Sequence, residues 1–517
     1  MSAPKKLLAD GLVPAALGGL ATLGFAPYNL VPITLVAVLG LVALWRGHGP
    51  LRCAWRGFVF ASVHFATGVY WIYVAMHDHA GVPAAIAVLA VVGLAAYMAL
   101  YPALAGVAAG LMRRLPLTLW ALLAVPAAWT LGEWLRGWVF TGFDWLALGY
   151  LGTEIPVNGL APIVGVHGLS FLVMAAAGTL YMLYTGRAPA RLVALLLILA
   201  TPVLLWCLPP AVHWTHPVGQ PMQAAIIQGN TQQSEKWDPA TLAPTMDAYE
   251  RMTEASRADL VVWPEVAIPA LAQRVATPLR RISRQAAAQD QLVLAGLLRL
   301  DGDGQRYYNS LIALGAGRGE YHKRHLVPFG EYVPGPKWLG QLLDGMGAPI
   351  GGLAIGERVQ PLFYKGDIAF GASICFEDVF SRNILTEMPR ANVLVNVTND
   401  AWFAGSNGPP QHLQIARMRA AEMGRPMVRA ANTGISANID FTGRVFAQTP
   451  ENVRTRLTGQ VTPREGVTPF VRFGETPVVA GSGAVVLLGF VGAGLGSLRR
   501  RRQGRVADRR RELASRV

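Results

Sequence analysis

Hydrophobic positions along this chain follow two different rhythms. Long, nearly unbroken apolar runs occupy residues 7–25, 30–45, 57–75, 82–112, 117–140, 159–184 and 192–208, and one more lies at 478–498. A helix that crosses a bilayer needs about 20 mostly apolar residues, so these runs predict a polytopic α-helical bundle of about seven spans over residues 1–216. They also predict a C-terminal spanning helix within 473–498. Glycine and proline recur inside the runs, which membrane helices tolerate because neighbouring helices satisfy the freed backbone groups.

From 217 to 472 the apolar runs shorten to strand length. Candidate strands lie at 224–228, 260–263, 292–297, 310–314, 370–375 and 393–397, with helical patterns at 242–258, 275–288 and 411–423 between them. Strands that alternate with helices predict a layered α/β domain. This block is long enough to bury a full core.

Composition strengthens the membrane reading. The chain is 52% hydrophobic and 15% charged, against about 25% charged residues in ordinary soluble domains. Its formal charge of +14 resides in short loops and a basic tail at 499–517. No aromatic–basic stripe accompanies it, which argues against nucleic acid as a partner.

The basic loops alternate. Lys5 and Lys6 precede the first run, and Arg46, Arg52 and Arg56 follow the second. Arg113 and Arg114 follow the fourth run, Arg187 and Arg191 the sixth, and Arg499 to Arg502 the last, whereas loops 27–29 and 77–81 hold no Lys or Arg. The positive-inside rule therefore predicts cytoplasmic termini, with the α/β block on the opposite face. The tail is expected to touch anionic headgroups. One outward segment is rich in tryptophan: Glu133-Trp134-Leu135-Arg136-Gly137-Trp138, then Phe143-Asp144-Trp145-Leu146. It reads either as an interfacial aromatic belt or as a docking rim for a lipid headgroup, with Arg136 facing phosphate.

The candidate chemistry falls in the α/β block. Of Cys53, Cys207 and Cys375, only Cys375 lies there, which leaves no disulfide framework and no zinc spacing. Val261-Val262-Trp263-Pro264 delivers Glu265 just past a strand end, where ligands of open α/β sheets gather. Lys323 sits in a loop, Tyr321 to Glu331, dense in Pro, Phe and Gly. Cys375 ends a small-residue strand and is followed by Phe376, Glu377 and Asp378. Taken singly, these are an ordinary cap, an ordinary basic loop and an ordinary buried thiol.

Together, in this order and with Asn396-Val397-Thr398-Asn399-Asp400-Ala401-Trp402-Phe403, they resemble the nitrilase superfamily and its Glu-Lys-Cys triad. The flanking spans narrow the resemblance to its membrane-embedded branch, the apolipoprotein N-acyltransferase family. Phe25-Ala26-Pro27, the 133–150 loop, Gln228-Gly229-Asn230 to Lys236-Trp237-Asp238, and Gln411-His412 to Arg429 through Ser436 carry it along nearly the whole chain.

The resemblance implies an αββα catalytic sandwich in which Cys375 is the nucleophile, Glu265 the general base and Lys323 the oxyanion stabiliser. Glu331, Glu377 and Asn309 would support the triad, while Trp237, Trp338 and Phe376 would lie near substrate. Phe376 stands where the family usually has Tyr, and Asp144 where Pro is more usual. The implied reaction is ping-pong. A phospholipid, phosphatidylethanolamine by resemblance, acylates Cys375, and the α-amine of a diacylated apolipoprotein takes the chain, at the periplasmic face of a bacterial inner membrane. No cofactor or metal is implied. The alternative is a membrane-bound amidase with water as acceptor. Within 335–356, Trp338, Leu339, Leu342, Leu343 and Met346 fall at helical spacing, which predicts either a core helix or a lipid-facing lid.

Overall fold

The computed structural model of the chain describes residues 8–207, 214–335 and 352–494. Trp338 and the predicted lid lie outside these residues, as does the basic tail. The N-terminal half is helical: Val13–Thr22, Val31–Trp45, Pro50–Gly68, Ala84–Leu111, Val125–Arg136, Ala161–Thr185 and Ala188–Cys207. Among the described residues, Ala84–Leu111, Pro156–Thr185 and Thr476–Gly494 are long and apolar enough to cross a membrane singly. Pro50–Gly68 and Trp71–His79 qualify together across a 49° bend, while Val31–Trp45 and Ala188–Pro202 are shorter apolar helices.

Small residues let the helices approach closely. A Cβ on Gly57 would lie 2.7 Å from the carbonyl oxygen of Pro102, and one on Gly106 would lie 2.5 Å from that of Cys53. Helices Pro50–Gly68 and Ala84–Leu111 thus pack backbone against backbone, the usual solution where lipid removes any hydrophobic drive between helices. The sequence predicts one run from 57 to 75, but the helix stops at Gly68. Asn407 of the α/β domain donates to the Gly68 carbonyl at 3.0 Å, and Leu146 fills the space beside Gly68. The helix therefore ends where the α/β domain and the 133–150 loop meet it.

The α/β domain is built on two sheets. One is seven-stranded and contains β1 (Met222–Gln228), β2 (Leu260–Val262), β3 (Leu292–Leu300), β4 (Tyr307–Gly315) and β5 (Glu320–His322). The other is six-stranded and contains β6 (Phe363–Lys365), β7 (Ile368–Ile374), β8 (Val393–Thr398), β9 (Met427–Ala431), β10 (Ala437–Ile439) and β11 (Val445–Gln448), in the order β11-β10-β9-β8-β7-β6. The seven-stranded sheet is completed by Ile268–Leu271 and by β12 (Thr455–Val461), which pairs with β1.

Alternation along each strand sorts side chains into three layers, as the pleat requires. Ala224, Ile226, Leu260, Val262, Leu292 and Leu294 face Phe370, Ala372, Ile374, Val393, Val395 and Val397 between the sheets. Ala225, Ile227, Val261, Trp263 and Val293 face the helices Pro239–Glu254 and Ala276–Ala288 through Met246, Tyr249, Leu279 and Ile282. Leu394, Met427, Ala437 and Ile439 face the helix Gly408–Met423 through Leu413, Ala416 and Ala420. The result is the nitrilase-like αββα sandwich beside a helical bundle. Continuous β strands are buried on both faces because helices cover both outer surfaces.

Candidate active site

The site lies at the C-terminal ends of the parallel strands, where backbone registers bring distant residues together. Val397 of β8 pairs with Ile374 of β7 on one side and Ala430 of β9 on the other. The residue after Ile374 is Cys375, whose φ of +54° places it in the left-handed region. Such backbone is uncommon for a side chain other than glycine and persists only where its surroundings over-determine it. A short 3₁₀ turn, Cys375–Val379, follows at once. Strand, strained residue and turn form an elbow that presents the thiol at the sheet edge.

Glu265 enters from the end of β2. Its Oε1 accepts from Asn309 Nδ2 at 2.6 Å and from Lys323 Nζ at 3.1 Å, and its Oε2 accepts from the backbone N–H of Asn399 at 2.9 Å. Lys323 follows β5 and makes a second ion pair, 2.8 Å to Glu331 Oε1. The other oxygen of Glu331 accepts the N–H of Val327 at 2.8 Å, so the loop carrying the lysine is closed by the carboxylate that binds it. Lys323 is 1% exposed and Cys375 8%. Burial opposes the Lys323 ammonium, yet Glu265 and Glu331 outweigh it and hold its pKa well above the ordinary lysine value. Burial and the Glu265 carboxylate push the Cys375 thiol well above its usual range, while Lys323 pulls it back. Burial and the carboxylate both favour the protonated thiol at Cys375.

Glu377 is a clamp in this structure. One oxygen accepts from Tyr321 Oη and the Ile374 N–H, both at 2.7 Å. The other accepts the N–H groups of Arg324 and His325 at 2.7 and 3.0 Å. All its contacts tie the lysine loop to the elbow. Phe376 is buried against Phe143, His325 and Phe380, with ring centroids 5.9, 5.8 and 5.1 Å away. Trp237 stands 54% exposed.

Arg136 does not face solvent or a headgroup, contrary to the sequence expectation. It is 1% exposed, donates to the carbonyls of Phe143 and Trp145, and lies over the Phe65 ring. Its guanidinium braces the tryptophan-rich loop from the bundle side, while Arg382 of the α/β domain donates to the Gly137 and Thr141 carbonyls of the same loop. Leu135, Trp138, Val139 and Phe140 are large apolar members of this stretch left exposed.

Two groups carry no assignment from sequence. Lys236 is buried with its ammonium 3.4 Å from the carbonyl oxygen of Glu265, and burial lowers its pKa to about 8 despite the Glu265 charge. Asp378, Asp400, His412 and Arg429 form a closed set of ion pairs behind the elbow. His412 and Arg429 fall within segments that carried the resemblance, but nothing local to either residue marks it as part of one cluster.

Comparison with known proteins agrees along the whole chain. Residues 17–179 match the apolipoprotein N-acyltransferase N-terminal domain, and residues 223–467 match the carbon-nitrogen hydrolase family. An apolipoprotein N-acyltransferase of Methylococcus capsulatus is 39% identical over 95% of this chain and 97% of its own length. Those of Nitrosomonas europaea and Azotobacter vinelandii are each 39% identical, over 93% and 96% of this chain and 97% and 96% of theirs. Matches of this identity and span leave one assignment: the chain belongs to the apolipoprotein N-acyltransferase family.

Proposed function

We propose that this membrane acyltransferase works through a thioester on Cys375, with Glu265 as general base and Lys323 as oxyanion stabiliser. The observation that carries the reading is the Glu265–Lys323–Glu331 ion-paired triangle beside a buried thiol held on left-handed backbone. Glu265 takes the thiol proton as sulfur attacks the ester carbonyl of a phospholipid. Lys323 neutralises the developing oxyanion in a site shielded from water. The glycerol oxygen leaves with the proton held by Glu265, and a lysophospholipid departs. The free amine of the lipoprotein's diacylated N-terminal cysteine then attacks the thioester. Its proton passes to Glu265 and on to the departing sulfur, restoring the thiol.

Asn309 and Glu331 hold Glu265 and Lys323 in register, Glu377 holds the loop, and Trp237 and Phe376 stand near the approach of the lipid chains. Phosphatidylethanolamine is the donor, transferring its sn-1 chain, and nucleic acid has no role. In this reading the chain divides into the bundle (1–216), the catalytic domain (217–472), the C-terminal span (473–498) and the basic tail (499–517), with catalysis on the periplasmic face and both termini cytoplasmic. Alternation of the basic loops supports that placement.

Intact mass spectrometry of the purified protein with phosphatidylethanolamine tests the chemistry. A hydroxylamine-sensitive acyl adduct on Cys375, discharged by a diacylated lipopeptide as an amide, is expected. An active enzyme with no such adduct would overturn the reading, and discharge only to free fatty acid would make it a hydrolase.

A further inference from the structure

The ionic cluster behind the elbow has no part in the proton transfers just described, yet it touches the nucleophile's own backbone. His412 Nε2 lies 3.0 Å from Asp378 Oδ1 and 3.3 Å from the carbonyl oxygen of Cys375. Its Nδ1 lies 3.0 Å from Asp400 Oδ1. Arg429 bridges the remaining carboxylate oxygens, at 3.3 Å from Asp378 and 3.1 Å from Asp400. It also donates to Asn396 Oδ1 at 2.5 Å, which turns the Asn396 amide toward Ser373 Oγ at 3.0 Å and the same Cys375 carbonyl at 3.5 Å. All four charged groups are 0–1% exposed. Burial and Arg429 disfavour an imidazolium there, but the two carboxylates prevail and raise the His412 pKa to about 9. Both ring nitrogens therefore donate.

A buried ionic set of this kind is weak evidence for stability, since apolar residues of equal volume often do as well. It can fix one geometry, and the geometry at stake is the left-handed Cys375. The Cys375–Phe376 peptide is planar, so anchoring its carbonyl on the cluster turns the Phe376 N–H to the opposite side and fixes the backbone that carries the thiol. The anchor is also tied to the bundle. Gln411, the neighbour of His412, accepts from Trp145 Nε1 at 2.7 Å, and the Trp145 and His412 rings lie 5.5 Å apart.

We propose that His412 is a positioning residue for Cys375, holding the nucleophile's carbonyl from behind while Trp145 of the bundle loop holds the helix that presents it. The proposal rests on Cys375 being the nucleophile.

The test uses full-length protein in mixed micelles with phosphatidylethanolamine and follows the rate of acyl-adduct formation on Cys375. Glutamine places an N–H₂ where Nε2 stands, whereas asparagine mimics only Nδ1. H412N should lower the adduct rate roughly 10- to 100-fold, the scale of a small misplacement of a reacting group. H412Q should recover most of the rate at a thermal stability equal to that of H412N. Equal rates for H412N and H412Q, or a native rate in H412N, would overturn the proposal. If neither variant folds, N396S removes the other donor to the same carbonyl: a fall in kcat at unchanged KM supports the proposal, and an unchanged kcat sinks it. If the native protein forms no adduct, the thioester reading falls by itself. Alkylation of Cys375 by iodoacetamide then decides, with slower reaction in H412N than in H412Q supporting positioning and equal reaction refuting it.

Discussion

Two charged clusters flank Cys375, and they are built on opposite principles. In front stand Glu265, Lys323 and Glu331, a lysine between two carboxylates. This is an open set, in which Glu265 also accepts from Asn309 and the Asn399 N–H and the Lys236 ammonium lies 3.4 Å from the Glu265 carbonyl oxygen. Behind stand Asp378, Asp400, His412 and Arg429, in which each carboxylate meets both cations. The open set is the one the proposed chemistry uses, and the closed set is the proposed brace.

The comparison breaks if the front cluster proves structural. Glu265→Gln keeps shape and the capacity to accept one hydrogen bond but removes the base. Acyl-adduct formation is expected to fall roughly 10²- to 10⁴-fold, the usual share of general base catalysis, with little change in thermal unfolding of the detergent-solubilised protein. A variant that unfolds early and acylates normally would invert the assignment.

The rear cluster should respond the other way. Asp400→Asn leaves His412 and Arg429 short of a counter-ion, and stripping one partner from a buried pair costs about 3–5 kcal/mol. The expected result is a large drop in unfolding temperature, with denaturant titration giving the magnitude. Native stability in D400N would show that the cluster bears no strain.

The same cluster predicts the pH dependence of stability. His412 has a folded pKa of about 9, above its ordinary value. Its contribution is fully present below about 6.5 and is lost as pH rises through about 9. Asp400 has a folded pKa of about 2, because Arg429 and His412 overcome burial. Its contribution is present above about 4 and is lost as pH falls through about 2. Unfolding temperatures from pH 6 to 10 should fall in the native protein and flatten in H412Q, and parallel curves would remove His412 from the balance. The smallest effect belongs to Phe376→Tyr. The ring already packs against Phe143 and Phe380, so a change in kcat/KM within about threefold, under 1 kcal/mol, is expected.

Legibility followed locality. Glu265, Lys323 and Cys375 could be singled out because their short segments, each ordinary by itself, stand in the order of the nitrilase-superfamily triad: a strand ending in proline, a constrained basic loop and a small-residue strand entering an acidic turn. Asp378 and His412 are 34 residues apart, and the parallel strands and one helix bring them together, so no spacing announces them. Arg136 was misread for a related reason. A tryptophan-rich amphipathic segment has the same composition whether it meets lipid or a protein surface, and here the sandwich covers it.

Hydrophobic periodicity by itself determined the division into an apolar helical bundle and an α/β layer, because spacing of 3.6 or 2 and run length are properties of the chain alone. Which three residues could share acyl chemistry came from the order of their segments and its resemblance to the nitrilase-superfamily triad, not from periodicity. Tertiary structure alone decided where helix Pro50–Gly68 ends, that Arg136 is a brace, that Glu377 clamps a loop, and that a closed ionic cluster sits against the Cys375 carbonyl. Each of those outcomes depends on which groups meet across segments distant in sequence, and burial then sets whether a charge reacts or only holds.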